Sequence, residues 1–163
     1  GANHAKNQEP PIPSRWTSSI KTEITLYELS LFNPVLKAIH HPYSDELIGV
    51  KQINTYDLRE VMSEKLRALI QRSYTAPRDL YDIYMLIPEF NDADWSEIKS
   101  AFLKKMHFKN KVYKGVNQLL DEHNLAHVKK AWDSSLAHQM PVEDLPDFDT
   151  TIKTILQILK KQL

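Results

Sequence analysis

Leu58-Arg59-Glu60-Val61-Met62-Ser63-Glu64-Lys65-Leu66-Arg67-Ala68-Leu69-Ile70-Gln71-Arg72 reads as one amphipathic helix. Leu58, Val61, Met62, Leu66 and Leu69 recur at helical spacing and define an apolar stripe. Asp57 followed by Glu60 has the pattern of a capping box at its start. Lys65 falls inside that stripe, about 20° from Leu58 at 100° per residue, and Arg72 lies near the same line two turns on. A buried cation without a partner is expensive, so acids are expected opposite.

The next segment supplies them. Pro77 can open a short helix that Pro88 closes, and within it Asp79 and Asp82 stand at i and i+3, on one face with Ile83 and Leu86. Two readings fit. In the structural one, Lys65 snorkels at the core edge, Arg72 ends the helix, Asp79 stabilises a helix N-terminus and Asp82 pairs with Lys65. In the functional one, the same charges form a site.

Working outward, helical spacing continues downstream. Asp94 with Glu97 predicts a second capping box, followed by Trp95, Ile98, Phe102 and Met106. Tyr113 to His123 and Leu125 to Ala137 are read as two more helices. The last helix carries Ile152, Ile155, Leu156, Leu159 and Leu163. Upstream, Ile20, Thr22, Ile24 and Leu26 alternate with Lys21, Glu23, Thr25 and Tyr27, which predicts a strand. Leu47 to Ile53 predicts another, after the turn residues near His40 and His41. Residues 1–18, with Pro10, Pro11 and Pro13, read as a linker, and Gly1 as a cleavage scar. The expected class is therefore α+β, mostly α: two or three short strands over residues 19–55, then five or six helices over 56–163. No fixed-period repeat is visible.

Composition narrows the chemistry. The 163 residues include three glycines and no cysteine. Neither a G-x-G-x-x-G fingerprint, a G-K-[ST] phosphate loop nor a G-x-S-x-G elbow is present. Disulfides, thiolate zinc sites and a cysteine nucleophile are excluded, which fits a reducing, cytoplasmic setting. No apolar run is long enough to span a bilayer. Net charge is zero, yet residues 99–130 hold eight lysines against Asp121 and Glu122. There Lys104, Lys105, Lys109, Lys111 and Lys114 interleave with Phe102, Phe108 and Tyr113, which suits a nucleic-acid backbone or equally the solvated face of a helix. His123 and His127, at i and i+4, lack a third ligand at a recognisable spacing, so no zinc is expected.

Ser63-Glu64-Lys65-Leu66-Arg67-Ala68-Leu69, then Arg72, then Arg78-Asp79-Leu80-Tyr81-Asp82-Ile83-Tyr84 resembles the C-terminal motif block of the AbiEii/AbiGii toxin family of nucleotidyltransferases. Ile20-Lys21-Thr22-Glu23-Ile24 is similar to that family's strand segment. The resemblance implies a polymerase-β-like enzyme of a toxin–antitoxin pair, transferring a nucleotide from a nucleoside triphosphate to an RNA such as tRNA, or to a protein, with Mg²⁺. It implies Glu23 as a metal-binding carboxylate, Lys65 on the triphosphate, and Arg72 and Arg78 near the phosphates. Asp79 and Asp82 then orient Lys65 and close the site. Such enzymes also carry a Gly-Ser loop and an Asp-x-Asp pair upstream of that strand. Neither occurs before Glu23, and Asp92/Asp94 and Asp147/Asp149 fall in the wrong part of the chain. The implied catalytic half therefore lies outside this sequence, and the chain alone is expected to be inactive. The alternative is a non-catalytic helical module that binds RNA or a protein partner.

Overall fold

A computed structural model describes residues 22, 24, 27–39, 52–72, 75–138 and 141–163. Among them the chain forms a two-stranded antiparallel sheet followed by five α-helices, the expected mostly helical α+β class. Strand β1 (Val35–Ala38) pairs with β2 (Gln52–Thr55), with Val35 opposite Thr55 and Ala38 opposite Gln52. The Thr55 hydroxyl donates to the Val35 carbonyl at 3.0 Å and fixes this register. The helices are α1 (Leu58–Gln71), α2 (Pro77–Leu86), α3 (Asp92–Phe108), α4 (Glu122–Leu136) and α5 (Phe148–Gln162).

Each start has a local cause. Asp57 caps α1 by accepting from the Arg59 amide at 2.8 Å. Pro77 occupies the first turn of α2, where its missing N–H costs nothing. Asp121 and Asp147 cap α4 and α5. The core joins all five helices: Met62, Leu66, Ile83, Phe102, Leu136 and Ile155 are among its buried members. Trp132 anchors the approach to α5, donating from its indole to the Pro146 carbonyl at 3.0 Å and meeting Phe148 edge-on.

Several expectations need correction. Asp94 does not cap α3; Asn91 does, one turn earlier, accepting from the Ala93 and Asp94 amides while Asp94 accepts from the Asn91 amide. Tyr113 to His123 is not a helix. Gly115 takes a φ of 115°, a short 3-10 turn follows at Val116–Gln118, and Asp121 then starts α4. Glu60 does not complete a capping box with Asp57, because its carboxylate is held elsewhere. Helix α2 ends at Leu86, and Pro88 sits in the 3-10 turn Ile87–Glu89.

The segment read as a first strand from Ile20, including Glu23, lies largely outside the described residues. Thr22 and Ile24 are described, and both are exposed and outside any strand. His40, His41 and residues 47–51 also lie outside, so only the end of the second predicted strand falls in β2.

Candidate active-site cleft

The burial of α1 explains how it presents its charges. Met62, Leu66 and Leu69 are buried, whereas Leu58 is 41 % exposed. The core-facing sector is thus rotated away from Leu58, and Lys65 and Arg72 lie on one flank rather than at the centre. Glu60, Glu64 and Arg67 occupy the other flank, about 100° or more around the wheel. Val61 and Ala68 lie between the two rows and floor a cleft of about 360 Å³.

On the α2 side, Lys65 Nζ is 2.6 Å from Asp82 Oδ2 and 3.4 Å from Asp79 Oδ1. Arg72 pairs with the other oxygen of Asp79. Asp79 is buried while Lys65 and Arg72 remain partly open to the cleft, so one carboxylate anchors two accessible cations. The sequence-predicted Lys65, Arg72, Asp79 and Asp82 therefore converge. Arg78 does not join them. It lines a separate depression with Pro77, His127 and Ser135, on the other side of the α2 start.

The opposite flank was not foreseen. Lys105, 2 % exposed, pairs with Glu60 and Glu64 and donates to the Leu29 carbonyl. Glu60 also accepts from the Leu31 and Phe32 amides at 2.9 and 3.0 Å. Arg67 donates to Glu64 at 2.6 and 2.8 Å. Burial pushes the Glu64 carboxyl up, but hydrogen bonds from Lys105 and Arg67, with the charges of both, outweigh it, so its pKa lies below the ordinary value. Lys105 is thereby removed from the predicted basic surface, since its ammonium has no access to a nucleic-acid backbone. A signal for this was present: Lys105 stands seven residues after Ile98 and three after Phe102, on the apolar face of α3.

The remaining lysines divide. Lys109 is half-buried, donating to the Tyr27 carbonyl at 2.6 Å and lying 3.4 Å from Glu28. Lys104, Lys111 and Lys114 are exposed. Tyr27 stacks on Phe108 with ring centres 4.9 Å apart, beside the Lys109 ammonium.

No group of three or more His, Asp or Glu among the described residues is placed to hold an ion. In the cleft, Glu28, Glu60, Glu64 and Asp79 all face lysine or arginine. The described residues alone therefore do not fit a Mg²⁺ site, and Glu23 lies outside them. His123 and His127 meet edge-on at 4.9 Å as an exposed pair. No helix among the described residues is long and apolar enough to cross a membrane.

No curated protein and no solved structure gives a significant match to this chain. The family model described as nucleotidyl transferase AbiEii toxin, type IV toxin–antitoxin system, matches residues 6–154. That span takes in both flanks of α1, the cleft and most of the helical body, and the chain belongs to the AbiEii nucleotidyltransferase toxin family.

Proposed function

We propose that the cleft over α1, walled by residues 28–30 and edged by Asp79 of α2, binds the triphosphate of a nucleoside triphosphate, in a cytoplasmic enzyme that transfers a nucleotide to an RNA such as tRNA. Lys65 contacts the phosphates and Arg72 supports them, whereas Arg78 faces the separate depression at the start of α2. Asp79 and Asp82 hold Lys65 in place until the anion arrives. Cations are what phosphoryl transfer needs from this part of a site, because negative charge on the phosphate oxygens has to be balanced. Magnesium falls to Glu23 together with acids that this sequence does not carry. For the same reason we expect the chain to turn over only with a segment supplying Gly-Ser and Asp-x-Asp. A cognate antitoxin is the expected protein partner.

One observation carries the reading: two partly open cations, Lys65 and Arg72, share the buried carboxylate of Asp79 at the edge of a cleft. The test is transfer of a labelled nucleotide to tRNA by the full-length protein, comparing wild type with Lys65→Ala and Asp79→Ala. Loss of transfer in both variants, with folding preserved, supports the assignment; unchanged transfer in both sinks it.

A second reading, an RNA-binding module without catalysis, is favoured by the exposed Lys104, Lys111 and Lys114 together with the Tyr27–Phe108 stack that Lys109 adjoins. It predicts tRNA binding with no nucleotide transfer under any condition.

A further inference from the structure

Lys105 and Glu60 are 2 % and 3 % exposed, and they form a pair between α3 and α1. Stability alone is a weak reason for such a pair, since well-packed apolar residues often do as well or better. What apolar residues cannot supply is an acceptor for two successive backbone amides. Glu60 accepts from Leu31 and Phe32, and Lys105 donates to the carbonyl of Leu29. The chain over residues 29–32 is therefore docked through its backbone. Glu64 and Arg67 complete the set, so that two carboxylates and two cations balance. Glu28, Leu29 and Ser30, at the start of this docked segment, line the cleft that Lys65 and Asp79 also line.

We infer that Glu60 and Lys105 are positioning residues: they clamp residues 29–32 as a fixed wall of the cleft and so set the space in which Lys65 receives its ligand. The wall itself follows from geometry. Its effect on ligand affinity rests on the triphosphate reading above.

The sequence holds no cysteine, so two introduced thiols are unique spin-label sites. Ser30→Cys with Met85→Cys, both exposed positions, spans from the wall to α2; Met85→Cys with Ser100→Cys reports on the helical body alone. These distances are measured by pulsed electron paramagnetic resonance in the wild-type background and in Glu60→Leu/Lys105→Met, which replaces the pair by apolar side chains. Mg-ATP affinity is measured in the same proteins without labels, with Lys65→Ala as the control. The expected result is a broadened 30–85 distribution, an unchanged 85–100 distribution, and Mg-ATP binding weaker by about tenfold or more. If the double variant does not fold, Glu60→Met removes the acceptor of both amides while Glu64 still pairs with Lys105, and gives the same reading.

An unchanged 30–85 distribution overturns the proposal. Broadening of both distributions overturns it too, because the pair then serves only general stability. A broadened wall with undiminished Mg-ATP affinity, where Lys65→Ala does lose binding, refutes the link to the site. If wild type and Lys65→Ala do not differ in Mg-ATP binding, the triphosphate reading fails instead, and the distances alone decide the wall.

Discussion

Asp79 holds Lys65 at 3.4 Å across the junction of α1 and α2, fourteen positions apart in the chain. Asp79 is the buried member of the pair, and its other oxygen takes Arg72. Removing it therefore leaves two cations that can still hydrate from the cleft, a milder loss than stranding a charge in the core. We expect Asp79→Ala to lower unfolding free energy by about 1–3 kcal/mol in denaturant titration. Lys65→Ala should cost less, because Asp79 keeps Arg72. Transfer activity should be lost in both, so stability and activity separate at Lys65. Equal stability losses in the two variants would contradict this asymmetry.

Acid should loosen the far side of the cleft through Glu64. Its pKa is lowered in the folded chain by Lys105 and Arg67 against the opposing effect of burial. The stability it contributes is complete above the ordinary carboxylate pKa and is lost as pH falls through the lowered value. Asp57 acts in the same direction, held down chiefly by the side-chain hydrogen bond from Arg59. Melting temperature should fall as the pH drops through the acid range. In Glu64→Gln that fall should be shallower, and an identical pH profile would rule out Glu64 as a contributor.

Charge reversal of the exposed lysines tests the RNA face. Lys104→Glu with Lys111→Glu and Lys114→Glu should weaken tRNA binding by about tenfold or more at low salt and flatten its dependence on salt. Lys105→Met should not flatten that dependence, because the Lys105 ammonium lies inside the protein. Equal salt slopes for wild type and the triple variant would remove the face from the acceptor site.

The cap of α3 offers a purely structural check. Asn91→Ala removes acceptors for two amides, from Ala93 and Asp94, and should cost about 1 kcal/mol by thermal or chemical unfolding. Ser96→Ala, exposed on the same helix, should stay within about 0.5 kcal/mol of wild type.

The helices with a strong apolar period were legible in the sequence, as was the meeting of Lys65 with Asp79 and Asp82, because adjacent helices bring nearby residues together. The failures have local causes. Gly115 and Asp121 interrupt a pattern that periodicity alone carries through, and Asn91 outcompetes Asp94 as a cap. The clamp around Glu60 was hidden for a different reason. Lys105 is 45 residues from Glu60 and 76 from Leu29, and no local pattern encodes a pairing over that distance. Glu60 sits where a helix start wants an acid, so its position suggested a cap while its side chain served residues 31 and 32.

The carboxylates of Asp79 and Asp82 have a final consequence for what the cleft can select. An anion that reaches Lys65 or Arg72 finds the place already taken by a negative group of the protein itself. A ligand with one carboxylate or one phosphate merely exchanges like for like and gains little. A chain of phosphates offers several charges at once and can displace both acids together. On the triphosphate reading, internal competition of this kind would act as a threshold that favours ligands of high charge density.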